Sequence, residues 1–158
     1  MKEHTYKTSL TWTGNTGKGT ADYRAYQRNY TIQIDGKPEI EGSSDPTFRG
    51  DKTRYNPEEL FLASISSCHM LWYLHLCSDH GITVVDYEDE ALGIMKEKEN
   101  GSGYFELVIL NPHVTIVESE KAELAKKLHQ RVNEMCFIAN SCNFEIGHEP
   151  VTKVFKKV

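Results

Sequence analysis

The segment from Leu60 to Leu74 is apolar on nearly every side of a helix, and this feature constrains the fold more than any other. It follows Asn56-Pro57-Glu58-Glu59, which supplies an N-cap, a proline at the first helical position and an acid placed for a capping box. These signals predict a helix from Pro57 to about His80, ended by Gly81. Because it has no polar face, this helix is expected to be buried on all sides.

Segments of strand character lie on both sides of this helix, which predicts an α+β domain. Residues 36–55 are rich in glycine, proline and small polar residues, so they are expected to form a long loop with at most one short strand. A second, amphipathic helix is predicted to open at Ser119, with Cys136 at or just beyond its last turn. The predicted strands are residues 6–12 with 20–34 as a hairpin, 82–95 paired with 103–117, and 144–158.

The charge pattern indicates neither a nucleic-acid-binding protein nor a membrane protein. The net charge is -5, and acidic and basic residues are interleaved without a basic face or a polybasic anchor. The first residues lack the apolar core of a signal peptide, and no apolar run approaches the ~20 residues of a membrane span. We therefore expect a soluble, cytoplasmic protein with one domain over residues 1–158, whose partners are small molecules or proteins.

The four cysteines, Cys68, Cys77, Cys136 and Cys142, make thiol chemistry the function to consider. In a reducing compartment they do not suit a static disulfide framework, and no C-x-x-C pair indicates structural zinc. The main alternative to thiol chemistry is metal binding, because four possible ligands lie close together on one predicted helix: His69, His75, Cys77 and His80. At about 100° per residue, however, no three of them converge on one face. We predict no bound metal.

Three motifs resemble those of a known family. Asn56-Pro57-Glu58-Glu59-Leu60, followed by Cys68 ten residues after the first acid, looks like the N-P-E-x-L…C signature of OsmC/Ohr proteins, the osmotically inducible and organic hydroperoxide resistance proteins. Asn133-Glu134-Met135-Cys136 is similar to that family's second cysteine segment, and Gly17-Lys18-Gly19-Thr20 resembles its N-terminal hairpin. The similarity spans nearly the whole chain in the expected order.

The resemblance implies a fold and an activity. The fold is OsmC-like, with antiparallel sheets around two long central helices in an intertwined homodimer. The activity is a peroxidase that reduces organic hydroperoxides, in which the Cys68 thiolate attacks the peroxide and becomes a sulfenic acid. Cys136 then forms a disulfide with Cys68, and an external dithiol of the lipoyl type reduces it. No bound cofactor is expected.

A thiolate nucleophile needs a nearby cation, and the family uses an arginine held by a glutamate. Glu58 matches that glutamate. Arg49 resembles the arginine of the OsmC branch, slightly displaced along the loop, and is the predicted activating residue. Arg24 and Arg28 on the N-terminal hairpin are alternatives, and Arg54 is a weaker one.

The other two cysteines have different expected roles. Nine residues of helix, or ~13 Å, separate Cys77 from Cys68, which is too far for a disulfide within one helix, so Cys77 is expected to be a core residue. Cys142 is not assigned to any position of the family motifs, yet it lies close enough to Cys136 in sequence to compete as the resolving thiol.

The spacing of Glu58 and Cys68 leaves two geometries open. Ten residues of uninterrupted helix place them ~15 Å apart along the axis, beyond the reach of one arginine bridging both. Either the helix breaks near residues 64–67, or the glutamate serves the site of a partner chain across a two-fold axis.

The sequence also leaves open a non-enzymatic function, and it predicts an apolar pocket. The alternative function is that of an OsmC-fold protein that binds an apolar ligand or senses redox state through its thiols. Its support is the displaced arginine, together with Phe137, which stands where many family members have proline. The side chains expected to wall a pocket suited to bulky organic hydroperoxides are Phe48, Phe61, Met70, Trp72 and Phe137.

Overall fold

The computed structural model describes residues 1–156 of the 158-residue chain. The chain divides into two compact units, one covering residues 1–61 and the other beginning at Leu62. The boundary falls within the first long helix, α1, which spans Pro57–Asp79. Helices and strands occur together, so the predicted α+β class is confirmed.

The first unit contains a three-stranded antiparallel sheet of β1 (Ser9–Trp12), β2 (Tyr30–Gln33) and β3 (Ile40–Gly42), in that order. Pairing of β1 with β2 confirms the predicted hairpin. Residues 20–29, predicted as the start of the second strand, form turns and irregular backbone instead. The long loop predicted over residues 36–55 is confirmed, with β3 as its short strand.

The capping signals of α1 are confirmed. The Glu59 backbone N–H donates to the Asn56 side-chain oxygen at 2.8 Å, and the Glu59 carboxylate accepts from the Asn56 N–H at 3.1 Å. This reciprocal pair is the capping box that the sequence indicates. At the other end Gly81 has a φ of 64°, the left-handed conformation that favours glycine after a helix.

The second unit contains two three-stranded sheets. One has the order β4-β7-β9, with β4 at Val84–Asp89, β7 at Pro112–Ile116 and β9 at Val151–Val154. The other has the order β5-β6-β8, with β5 at Leu92–Glu97, β6 at Gly103–Leu110 and β8 at Glu145–His148. The segments 82–95 and 103–117 were each predicted as one strand. Each contains two strands instead, and these two strands belong to different sheets.

The pairing of the C-terminal strands differs from the expected antiparallel sheets. β8 lies parallel to β6, and β9 lies parallel to β7, so both sheets of the second unit are mixed. Parallel neighbours need a long crossover between them, and here the crossover contains the second long helix, α2, at Ala122–Met135. Alternation of apolar residues predicts a strand but does not predict its direction.

The core of the second unit lies between α1, α2 and the sheet of β4, β7 and β9. Val132 lies on the apolar face of α2, which confirms that helix as amphipathic. Cys136 is the C-cap residue of α2, as predicted. The buried core residues are Tyr73, Cys77, Ile82, Val114, Ile116, Ala125, Leu128 and Val132.

Burial of α1 differs from the expectation. Along this helix, which lies wholly in the described part of the chain, the buried residues are Ile65, His69, Tyr73 and Cys77, spaced four apart on one face. Leu71, on another face, is 62% exposed. The prediction of burial on every side is wrong for the single chain, because apolar composition does not say what covers a helix.

By length and composition α1 is also able to cross a membrane, with a mean hydropathy of 1.3 over its most apolar window. The expectation that no apolar run approaches such a span is therefore corrected. The core helix of a soluble protein meets the same criterion, so this property alone assigns no location.

Candidate active site

The structure brings Cys68 and Cys136 together. Cys68 lies in the middle of α1, and Cys136 follows the last turn of α2, with its backbone N–H bonded to the Val132 carbonyl at 2.9 Å. The two side chains are neighbours, and the Cys68 thiol acts on the pKa of the Cys136 thiol. Both cysteines are reduced. Two neighbouring thiols are what disulfide formation between these cysteines requires.

The environment of Cys136 keeps its thiol protonated. Its side chain is fully buried, and burial together with the neighbouring Cys68 thiol raises the pKa of Cys136 to about 11. The Ala139 backbone N–H donates to the Cys136 sulfur at 3.4 Å, which opposes this rise. Cys68 is half-buried, so it is the more accessible thiol of the pair.

The remaining cysteines lie in different surroundings. Cys77 is buried in the core of the second unit, and its burial raises the pKa of the thiol, as expected of a structural residue. Cys142 is half-buried and donates a hydrogen bond from its sulfur to the Ile138 carbonyl at 3.3 Å. Burial raises the pKa of Cys142 as well.

Arg49 has an unusual backbone conformation. It follows the 3-10 turn Pro46–Phe48 and has a φ of 64°, the one positive φ of a non-glycine residue within residues 1–156. Its N–H donates to the Pro46 carbonyl at 3.0 Å, which holds the conformation in place. Strained residues of this kind cluster at functional sites. Its side chain is exposed and borders a pocket of the first unit.

Two of the three alternative arginines, Arg28 and Arg54, have side chains engaged by structural partners. The Arg28 guanidinium donates to the Tyr26 and Tyr23 carbonyls at 2.6 and 2.7 Å. Arg54 forms ion pairs with Glu41 at 3.0 Å and Asp51 at 3.7 Å. Arg24 is anchored through its backbone N–H, which donates to Asp22 at 2.8 Å. Within the described chain, the guanidinium groups of Arg49 and Arg24 have no hydrogen bond or ion pair, in contrast to those of Arg28 and Arg54.

Glu58 is half-buried in the first turn of α1. The pKa of Tyr30, in the sheet of the same unit, is raised mainly by the burial of Tyr30 itself and to a smaller extent by the negative charge of Glu58. Within residues 1–156, Glu58 forms no ion pair with Arg49. The helix runs without a break from Pro57 to Asp79, so the predicted alternative of a break near residues 64–67 is excluded.

Sequence reasoning missed a buried histidine pair next to the thiols. His69 on α1 and His129 on α2 are joined by a hydrogen bond of 2.9 Å between His69 Nε2 and His129 Nδ1. The Tyr73 ring stacks on His129 with ring centroids 3.9 Å apart, and the His148 ring centroid lies 6.3 Å from that of His129. From the sequence, His69 is a candidate only for metal binding. The available signal was the placement of His129 beside Leu128 on the apolar face of α2.

Burial controls the protonation of this pair. It lowers the pKa of His69 to about 4 and that of His129 to about 3, with the neighbouring imidazoles adding to the effect. The Nε2 atom of His129 is buried without a hydrogen-bond partner in the described part of the chain. Over residues 1–156, no group of three or more histidine, cysteine or acidic side chains has the geometry to hold a metal ion.

Part of the expected apolar pocket is present in the second unit. The Trp72 and Phe137 rings meet edge to face, with centroids 5.6 Å apart. A shallow pocket of about 290 Å³ is lined by Leu71, Trp72 and His75. Phe137 is 69% exposed, so these rings form an apolar surface beside α1 and not a closed chamber.

The fold is shared with solved structures from several bacteria. An OsmC-like protein of unknown function from Vibrio cholerae is 31% identical, with a TM-score of 0.83, covering 96% of this chain and 100% of that one. An organic hydroperoxide resistance protein from Elizabethkingia anophelis is 22% identical, with a TM-score of 0.66, covering 98% and 100%. The organic hydroperoxide resistance protein OhrB of Bacillus subtilis is 18% identical, with a TM-score of 0.62, covering 95% and 98%.

The sequence comparisons agree with this fold. The family model described as OsmC-like protein matches residues 50–149, which include Glu58, Cys68 and Cys136. No curated protein sequence matches the chain. The family match covers more than half of the chain, and the Vibrio cholerae structure is similar over nearly all of it. The chain therefore belongs to the OsmC-like protein family.

Proposed function

We propose that this protein is a cysteine-based peroxidase that reduces organic hydroperoxides to alcohols. The observation that carries the proposal is that Cys68 and Cys136, which lie far apart in the sequence, are neighbours in the structure, one half-buried and the other fully buried. Two neighbouring thiols, one in the middle of α1 and the other at the end of α2, suit a two-step thiol mechanism. Relatives named organic hydroperoxide resistance proteins share the fold, which supports the choice of substrate class.

The proposed reaction starts at Cys68. Its thiolate attacks the peroxide oxygen distal to the organic group, the O–O bond breaks, and the organic half takes a proton and leaves as an alcohol. Cys68 becomes a sulfenic acid. The Cys136 sulfur then attacks the Cys68 sulfur, and the hydroxyl leaves as water with the thiol proton. An external dithiol of the lipoyl type reduces the disulfide by exchange, so no bound cofactor is required.

The remaining roles follow the family pattern. Arg49 stabilises the Cys68 thiolate and the charge that develops on the peroxide, and Glu58 orients Arg49. Because Glu58 and Cys68 are separated by ten residues of unbroken helix, the glutamate serves the site of the other subunit in a homodimer. We place the protein in the cytoplasm, where a dithiol reductant keeps the thiols reduced.

A coupled assay of peroxide consumption tests the proposal. Wild-type protein with a dithiol reductant should consume an organic hydroperoxide catalytically, whereas Cys68→Ser should be inactive. Cys77→Ser is the matched control, because Cys77 is a core thiol outside the pair and its variant should retain most activity. Equal loss in both variants, or turnover in Cys68→Ser, would show that Cys68 is not the nucleophile.

A second candidate is a non-enzymatic protein that binds an apolar ligand or senses redox state. It is favoured by the exposed Trp72–Phe137 surface and by the lack of an ion pair between Arg49 and Glu58 in residues 1–156. The same assay separates the two candidates. A wild-type protein that oxidises once but does not turn over with excess dithiol would support the sensor.

A further inference from the structure

The first unit contains a pocket whose lining is strongly basic, here called the basic pocket. It has a volume of about 470 Å³. Four cations line it, together with a hydroxyl and an aromatic ring: Lys18, Arg24, Arg28, Arg49, Thr16 and Tyr26. We propose that the basic pocket binds a small phosphate-bearing molecule with two or more negative charges. Only Arg49 among these residues has a part in the proposed peroxidase chemistry.

The positive charge of the pocket lining is local, because the chain as a whole is acidic. The chain has 23 acidic and 18 basic residues, yet none of the residues that line the pocket is acidic. The nearby carboxylate of Asp22 is engaged by the Arg24 backbone N–H. Cations gathered in a concave site repel each other and focus positive potential into it, so an anion stabilises the arrangement.

Arg28 is fixed in place before any ligand binds. Its guanidinium donates to two backbone carbonyls and lies over the rings of Tyr23 and Tyr26, 4.3 and 4.1 Å from their centroids. Five N–H donors belong to a guanidinium, so the two used here leave others for a ligand. A side chain that is already ordered loses little freedom on binding, and this favours affinity.

Arg49 adds a second guanidinium that is free to engage a ligand. The φ of 64° is maintained by the 3-10 turn before it, at the cost of backbone strain. Across residues 1–156 its guanidinium has no hydrogen bond or ion pair. A strained residue with an unengaged charge at the rim of a basic pocket is positioned to bind an anion.

Size and donor geometry define the class of ligand. A volume of about 470 Å³ lies within the range of small-molecule sites and is too small for an extended polyanion. Planar guanidinium groups match the oxygens of phosphate in pairs, with two parallel hydrogen bonds. A single carboxylate would leave most of the four cations uncompensated. Pyrophosphate and small organic phosphates have a suitable size, the oxygen geometry that guanidinium groups match, and at least two negative charges.

Calorimetric titration with pyrophosphate tests the proposal. The wild-type protein should bind it at one site per chain, with an affinity that falls as salt is added. The double variant Lys18→Gln/Arg24→Gln should bind at least about tenfold more weakly, because it removes two of the four charges. The matched control is Lys126→Gln/Lys127→Gln on the exposed side of α2, which has the same change in net charge and should bind like wild type.

Three results would overturn the proposal. The first is that pyrophosphate does not bind although circular dichroism shows the protein to be folded. The second is that binding weakens equally in the two double variants. The third is that a short RNA binds more tightly than pyrophosphate through Lys18 and Arg24. The titration contains no peroxide and can be repeated with Cys68→Ser. Its outcome is therefore independent of the peroxidase proposal.

Discussion

At the scale of single residues, the thiols of Cys68 and Cys136 lie in different surroundings, and this difference supports the different roles proposed for them. Cys136 is buried and, with its pKa raised to about 11, is almost entirely protonated at neutral pH. A protonated thiol is a poor nucleophile toward peroxide. Cys136 therefore suits attack on a sulfenic acid that is already beside it, whereas the half-buried Cys68 suits attack on a substrate from outside.

This asymmetry predicts the product of oxidation. One equivalent of organic hydroperoxide should join Cys68 to Cys136 and leave Cys142 reduced, because the Cys142 sulfur is bonded to the Ile138 carbonyl and not to the pair. Peptide mapping of the oxidised protein by mass spectrometry identifies the bridge. A disulfide between Cys136 and Cys142 would contradict the mechanism, because Cys136 would then not be the residue that resolves the Cys68 sulfenic acid.

Arg49 allows function and stability to be separated in one variant. Arg49→Gly removes the guanidinium but places glycine at a φ of 64°, which glycine adopts without strain. We expect the rate of peroxide reduction to fall by about 100-fold or more. The free energy of unfolding should stay the same or rise by up to about 1 kcal/mol. Steady-state kinetics and urea denaturation measure the two effects.

Arg54→Gln is the comparison for this variant. It breaks the ion pairs of Arg54 with Glu41 and Asp51 and should lower stability while leaving activity high. If Arg54→Gln were inactive and Arg49→Gly active, the assignment of the activating arginine would move to Arg54.

At the scale of elements, the contact between α1 and α2 depends on two neutral imidazoles. His69 and His129 have pKa values of about 4 and about 3 in the folded protein, below the value of about 6.5 in an unfolded chain. The unfolded state therefore binds more protons below pH 6.5. The stabilisation is complete above that pH and is lost as the pH falls toward 4.

The corresponding prediction is a fall in stability in mild acid. Between pH 7 and pH 5 the free energy of unfolding should decrease by up to about 2 kcal/mol for each of the two histidines. Urea denaturation at the two pH values measures it, and His69→Gln should show a smaller decrease than wild type. His113→Gln, at an exposed position of β7, should keep the wild-type decrease. An unchanged decrease in His69→Gln would assign the effect to other groups.

The elements also show where sequence reasoning succeeds and where it stops. The limits of α1 were predictable because Asn56, Glu59 and Gly81 act on the backbone within a few residues. The hydrogen bond between His69 and His129 joins residues 60 apart, and no local pattern encodes such a pair. The family motifs led to Cys68 and Cys136, which the structure brings together, while the roles of Arg49 and Glu58 stay predictions.

At the scale of the whole molecule, α1 leaves apolar surface uncovered by its own chain. Leu71 is 62% exposed and Phe137 69% exposed, beside the half-buried Trp72. Neighbouring exposed apolar side chains are typical of interaction surfaces, so we predict that a partner covers them. A second copy of the chain is the occupant that the shared-site proposal requires, because the unbroken helix separates Glu58 from Cys68 by ~15 Å along its axis.

Subunit complementation tests this arrangement. Glu58→Ala and Cys68→Ser should each be inactive alone, but mixing them under conditions of subunit exchange should restore up to about one wild-type site per heterodimer. Peroxide consumption measures the recovery, and native mass spectrometry confirms the exchange. If exchange occurs without recovery, Glu58 acts within its own chain or has no catalytic role.

The parallel pairing of β8 with β6 and of β9 with β7 has a consequence for folding kinetics. Leu107 on β6 pairs with Glu145 on β8, so these contacts have high contact order and require closure of a long loop that contains α2. Until the last strands arrive, β6 and β7 are edge strands with unpaired backbone groups. A chain truncated before Glu145 would keep those edges open permanently and would be prone to aggregation.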